Sequence, residues 1–247
     1  MLLQVTIDKL RALRLAGMVK ALEQQLRDPE INSLSFEERL GLLVDSESTE
    51  RDSKQTASRL RAAKPKLQAC IEEVNLKETK GIDKSTLREL ALCRWIRQHR
   101  NIQFTGPTGI GKTYIACSLI NSACRAGYKA LYYRAQRLFH NVSVARADGT
   151  YTKLLDNLSR INLLVIDDFG HSSINEEMSR DLLEIMDDRD HSSTIIASQL
   201  PLDDWHQTFT NATLADAILD RLVHRAYKFS LDGPSKRKLD VEDCDKE

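Results

Sequence analysis

The run "NIQFTGPTGIGKTYIACSLI", residues 101–120, constrains the fold more than any other stretch of the chain. Within it, "GPTGIGKT" at 106–113 has the phosphate-loop spacing: Gly, four residues, Gly-Lys, then Ser or Thr. A short apolar run that reads as a strand precedes it, and an amphipathic run that reads as a helix follows. Gly106, Gly109 and Gly111 permit the backbone conformations that turn successive N–H groups inward around a phosphate, with Pro107, Thr108 and Ile110 between them. The helix beginning near Lys112 adds its positive dipole end at the same point. Lys112 is expected to reach the β- and γ-phosphates of ATP, and the Thr113 hydroxyl to ligate Mg2+.

From residue 101 onward short apolar runs alternate with helical stretches: "NIQFT", "KALYYR", "INLLVIDD", "STIIAS" and "YKFSL". Five strands with intervening helices predict an α/β, doubly wound and mostly parallel sheet, with the ligand at the carboxyl ends of the strands. "INLLVIDDFG" is an apolar strand ending in two carboxylates. Asp167 is placed to hold Mg2+ and Asp168 to orient or deprotonate the attacking water. A further strand lies between the loop and these carboxylates, the order of the hydrolysing ATPases rather than of most small nucleotide kinases. "STIIASQLP" ends in Ser198 and Gln199, a polar pair able to bridge the γ-phosphate and the water. In "AILDRLVHRAYKF" the apolar residues fall on one helical side, with Arg221, His224, Arg225 and Lys228 on the other. That basic side reads either as a solvated face or as the carrier of an arginine finger, Arg221, for a neighbouring subunit's γ-phosphate. Spacing does not choose between them.

The first hundred residues hold only three glycines and two prolines, so little interrupts helix there. "TIDKLRALRLAGMVKALEQQL" sets Leu15, Met18, Leu22 and Leu26 at helical spacing, and Ser35 with Glu38 forms a capping box ahead of a helix reaching Pro65. "TLRELALCRWIRQ" reads as one short helix. "TKGIDKST" marks the junction between a helical N-terminal domain, 1–80, and a nucleotide-binding domain, 81–247. Formal net charge is zero, yet residues 51–100 carry thirteen Lys and Arg against six Asp and Glu. This local excess points to a polyanionic partner that the whole-chain balance hides.

No run approaches the ~18 apolar residues of a membrane helix, and the charged N-terminus lacks a secretory cleavage pattern. A cytoplasmic protein is expected. Five cysteines without a C-x-x-C pair, and six histidines without metal spacing, read as reduced thiols and scattered polar side chains.

"GPTGIGKTYIA", "ARADGTYTKLL", "LLVIDDFG", "ASQLPLDDWH" and "LADAILDRLVHRAYKFSLDGPSKRK", in that order, resemble the IstB-like ATPases. These are bacterial helpers encoded beside a transposase in insertion sequences and related to DnaC helicase loaders within the AAA+ class. The resemblance covers almost the whole chain. It implies an AAA+ P-loop core of strand order 5-1-4-3-2, a helical N-terminal domain, and a C-terminal lid that is absent or minimal. It also implies ATP hydrolysis coupled to homo-oligomerisation on DNA, ATP at subunit interfaces, and stimulation of a partner transposase. On this likeness Lys112 and Thr113 are the Walker A pair and Asp167 the Walker B metal ligand. Asp168 stands where many AAA+ proteins carry glutamate, which predicts slow turnover. Gln199 is sensor I, Arg221 the arginine finger and Arg237 the sensor II arginine. Arg51, Lys54, Arg59, Arg61, Lys64 and Lys66, with Asp52 as the one acid among them, then read as a clamp on phosphate backbone. The absence of interleaved aromatics favours duplex over single-stranded DNA. A helicase loader with the same core is the first alternative, a small-molecule phosphotransferase the second, and an ATP-bound scaffold without hydrolysis the third.

Overall fold

The computed structural model describes residues 2–77 and 79–236. The chain forms two compact units, dividing between Ser58 and Arg59.

The first unit comprises α1 (Leu2–Ala12), α2 (Ala16–Arg27), a 3-10 turn at Pro29–Ser33 and most of α3 (Phe36–Ala63). The run read at helical spacing forms two helices, with the break at Arg14, whose φ is 60°. Of the predicted apolar stripe, Leu15 becomes the N-cap of α2 and Leu26 is exposed, while Val19 and Gln25 are buried. The reason is a polar anchor. Glu47 on α3 accepts hydrogen bonds from the Gly17 and Met18 N–H groups at 2.8 and 3.2 Å, which fixes the first turn of α2. A hydrogen bond from Arg51, aided by these two backbone donors, holds the Glu47 carboxyl below the usual carboxylate range against the opposing effect of burial. The capping box forms as predicted: Ser35 N donates to Glu38 Oε2 at 2.8 Å, and Glu38 N donates to Ser35 Oγ at 3.2 Å.

In the second unit, Ala63, Ala69, Val74 and Leu76 are buried in the same core as the sheet. The contact division therefore falls earlier than the 80/81 junction read from the sequence, because residues 59–80 cover one face of the sheet. The single helix expected after them is two: α4 (Lys84–Ala91) and α5 (Arg94–Arg97), separated by Cys93 at φ 57°. Trp95 is buried, and its Nε1 donates to the Leu90 carbonyl at 2.9 Å, which fixes the bend.

Five strands follow: β1 (Asn101–Thr105), β2 (Ala130–Arg134), β3 (Leu163–Phe169), β4 (Ser193–Ser198) and β5 (Ala226–Ser230). All neighbouring pairs are parallel and the order is β2-β3-β4-β1-β5, the predicted 5-1-4-3-2 read from the other edge. Alternation along the strands divides the core. Leu163, Val165, Ile195, Ala197, Ile102 and Phe104 face the side covered by residues 59–97 and α6 (Lys112–Arg125). Leu164, Ile166 and Ile196 face α7 (Ala135–Ala147), α8 (Tyr151–Ser159), α9 (Glu176–Asp187) and α10 (Ala212–Val223). Helices on both faces explain why β3 and β4 read as continuous apolar runs.

The "ARADGTY" motif ties α7 and α8 to α9. Arg146 pairs with Asp181, which is 3% exposed, and its guanidinium lies 3.9 Å from the centroid of the Tyr151 ring. Tyr151 Oη also bonds Asp181, at 3.0 Å, and Glu184, at 2.6 Å. Arg146→Ala leaves a buried carboxylate short of its cation. Breaking a buried pair costs roughly 3–5 kcal/mol; because the Arg146 side chain is 39% exposed, the expected loss is about 2 kcal/mol, read as a lowered midpoint in urea unfolding.

Candidate nucleotide-binding site

β1 ends at Thr105, and the phosphate loop leads from it into α6. Gly106 has φ 134°, and a Cβ there would lie 2.0 Å from the Leu231 carbonyl oxygen, so only glycine fits. Gly111, at φ 103°, is the N-cap of α6. Ile110 is 1% exposed and anchors the loop in the core, while Thr108 lies open to the cleft. Lys112 Nζ sits inside the loop, donating to the carbonyls of Gly106 and Pro107 at 2.5 and 2.7 Å. The chain after β5 closes over the loop: Leu231 N donates to the Thr105 carbonyl at 2.8 Å, and Lys236 N to the Gly109 carbonyl at 3.0 Å.

The two carboxylates of β3 meet this loop through a bulge. The β3–β4 register shifts between Ile166 and Phe169, and Asp168 takes a left-handed φ of 56°. In a regular strand consecutive side chains face opposite ways; the bulge re-aims them. Asp167, 1% exposed, accepts from Thr113 Oγ1 at 2.8 Å. Asp168 turns into the cleft with Lys112, Thr113 and Gln199. Arg134 Nε, at the end of β2, lies 3.7 Å from Asp168 Oδ2. Ser198 does not join Gln199 in the site. It is fully buried, and its hydroxyl donates to the Phe169 carbonyl at 2.8 Å, a structural bond.

The cleft of about 510 Å3 continues past the loop along a wall of Leu67, Val74, Tyr114 and Ile115. Sequence reading missed this wall because its parts are far apart in the chain and carry no motif. Tyr132 was missed too, having been read only as part of a strand. Its hydroxyl donates to Asp167 Oδ2 at 2.6 Å, and burial with that bond pushes the phenol well above its ordinary range.

Arg221 lies elsewhere. Asn101, the first residue of β1, donates from Nδ2 to the Arg221 carbonyl at 3.2 Å. The guanidinium pairs with Asp187 at the end of α9. Arg221 thus stands at the amino end of β1 and the phosphate loop at its carboxyl end, about 13 Å of strand away. The basic helical face is shorter than predicted: α10 ends at Val223, Arg225 has φ 61°, and Lys228 belongs to β5. Arg237 falls outside the described residues, as does most of the chain in which a lid was sought.

The six cations proposed to contact DNA occupy different settings. Arg51 and Lys54 pair with Glu47 and Glu50, acids one turn earlier that the segment count left out. Arg59 is half-buried, 3.5 Å from the Cys124 carbonyl. Arg61 and Lys64 are exposed. Lys66 lines the nucleotide end, in a side cleft with Arg134, Asp168 and Gln199.

The family model described as "IstB-like ATP binding protein" matches residues 8–243. The chain belongs to that family. The IstB-like assignment is supported by a protein named as an insertion sequence ATP-binding protein, y4pL, of Sinorhizobium fredii, 44% identical over 239 residues, 96% of this chain and 98% of the relative. Among solved structures, DnaI superposes with a TM-score of 0.58 at 19% identity, covering 73% of this chain and 93% of that one. AMPPCP-bound DnaA from Aquifex aeolicus superposes at 0.59 and 18% identity, covering 74% and 57%. At such identities these likenesses show the fold, which is that of an AAA+ P-loop domain. This IstB-like chain is an ATP-binding ATPase with that fold. Among its described residues, no helix is long and apolar enough to cross a membrane, and no group of three or more His, Cys, Asp or Glu could hold a metal. Cys93, Cys117 and Cys124 are buried free thiols, each pushed up by burial, Cys93 and Cys124 to about 11.

Proposed function

We propose that this chain is an ATP-dependent, DNA-binding helper of transposition whose ATP site is completed by a second copy of itself. The observation that carries the reading is the separation of Arg221 from its own phosphate loop by the length of β1. An arginine so placed, half-exposed and held by a surface ion pair with Asp187, is available to a neighbour's γ-phosphate and not to its own. ATP binding then closes the interface, the closed assembly holds duplex DNA for a transposase, and hydrolysis opens it. The insertion-sequence relative supports the transposition context.

Within the site, Lys112 and the loop N–H groups hold the β- and γ-phosphates, and the apolar wall from Leu67 to Tyr114 receives the base. Thr113 and Asp167 offer a hydroxyl and a carboxylate 2.8 Å apart, the oxygen donors that suit Mg2+ held jointly by protein and phosphates. A cation held by these two residues would supply neutralisation of charge on the transferring phosphoryl group. Asp168 accepts the proton of the water that attacks the γ-phosphorus as the bond to the ADP oxygen breaks, with Gln199 orienting that water. Arg134 Nε, 3.7 Å from Asp168 Oδ2, helps to hold that carboxylate in the cleft. By the family resemblance alone, Arg237 serves as a further cation on the phosphates.

Phosphate release measured over a range of protein concentrations, with and without duplex DNA, tests the reading. Turnover per subunit should rise with both; a rate flat in both variables contradicts it. For DNA, the exposed cations of residues 51–66 contact phosphates without reading bases. Arg61→Gln with Lys64→Gln should reduce the slope of log affinity against log salt by about 2 while leaving sequence preference unchanged. An unaltered slope in a fluorescence-anisotropy titration removes these two residues from the interface.

A further inference from the structure

Asp167 is tied down more fully than holding one threonine requires. Oδ2 accepts two hydroxyl groups, Tyr132 Oη at 2.6 Å and Thr113 Oγ1 at 2.8 Å, and Oδ1 accepts the Asp168 N–H at 3.0 Å. A carboxylate offers about four lone-pair sites, so three are taken and rotation about its last bond is blocked. The Tyr132 ring is itself immobile. It is 8% exposed, packed in the core on the α6 side of the sheet, and its Cα pairs with Val165, two residues before Asp167 on the same sheet face. Tyr132 therefore fixes the carboxylate from a rigid strand, and the carboxylate fixes the hydroxyl proton of Thr113. With that proton committed to Asp167, the lone pairs of Thr113 are left to face a cation.

We propose that Tyr132 is a positioning residue for the metal-site carboxylate, and that its hydroxyl sets how tightly nucleotide is bound in the presence of a divalent cation. This rests on the assignment of Thr113 and Asp167 as the cation's ligands. The competing account is that a buried phenol needs a hydrogen-bond partner and Asp167 is the nearest one. Under that account the bond matters to stability alone.

The test titrates a fluorescent, non-hydrolysable ATP analogue against the full chain in EDTA and at a series of Mg2+ concentrations. It compares the wild type with Tyr132→Phe and with Asp167→Asn. Partners of metal-binding groups typically contribute 10–100-fold to metal affinity. Because Asp167 keeps two of its three bonds, Tyr132→Phe should raise the Mg2+ concentration for half-maximal tightening about tenfold, with binding in EDTA unchanged. Asp167→Asn should shift it further. An unmoved Mg2+ midpoint in Tyr132→Phe beside a shifted one in Asp167→Asn overturns the proposal and leaves the ligand assignment standing. Midpoints unmoved in both variants overturn the two together. Equal weakening of Tyr132→Phe with and without Mg2+, accompanied by a lowered unfolding midpoint in EDTA, assigns the bond to stability and also overturns the proposal.

Discussion

Lys112→Ala should lower ATP turnover roughly 10²–10³-fold, the loss seen when one aimed donor to a developing charge is removed. Lys112 is 8% exposed, and its ammonium lies within the loop, 2.5 and 2.7 Å from two of its carbonyls. A cation held inside a ring of backbone groups is oriented before ATP arrives, so little reorganisation opposes its action on the phosphates. The alanine variant removes charge without opening a cavity in the apolar core, and its unfolding midpoint should stay close to that of the wild type. Single-turnover phosphate release, alongside equilibrium binding of ATP, separates the loss in chemistry from a weaker loss in affinity.

Arg221→Ala should reduce turnover by roughly 10³–10⁵-fold, the scale of an arginine finger, and only under conditions where the chain assembles. Equilibrium binding of ATP to dilute protein should be unaffected, since Arg221 is at the far end of β1 from the loop. The stability cost is small. Arg221 and Asp187 are 40% and 49% exposed at the side chain, and an exposed pair contributes at most about 1 kcal/mol. A variant that loses turnover while folding and binding normally places Arg221 across an interface; one that weakens ATP binding in the monomer contradicts that placement.

The parts of this site legible in the sequence are those whose chemistry is contiguous. The loop at 106–113 carries the phosphate-loop spacing, the paired carboxylates at 167–168 close an apolar strand, and strand-helix alternation from residue 101 marks the sheet. Tyr132, Leu67 and Val74 were not legible, since they reach the site only through strand order and the packing of residues 59–80 on the sheet. Lys66 stands among the other cations in the chain, and the turn after α3 carries it to the cleft beside Asp168, a placement that charge counting along the sequence does not show. Ser198 looked like Gln199's partner because the two are adjacent, but strand alternation turns it into the protein, where Phe169 binds it. The break at Arg14 had no glycine or proline to announce it, being fixed by Glu47 thirty residues away from Gly17.

The central claim is that one copy's phosphate loop works with another copy's Arg221. Mixing the two inactive variants, Lys112→Ala and Arg221→Ala, tests it most directly, with phosphate release followed on duplex DNA. An interface that takes its loop from an Arg221→Ala subunit and its arginine from a Lys112→Ala subunit contains every group the site requires. The account predicts that the mixture regains turnover that neither variant has alone. A mixture no faster than the mean of its two components would show that each chain hydrolyses ATP within itself, and would contradict the shared site.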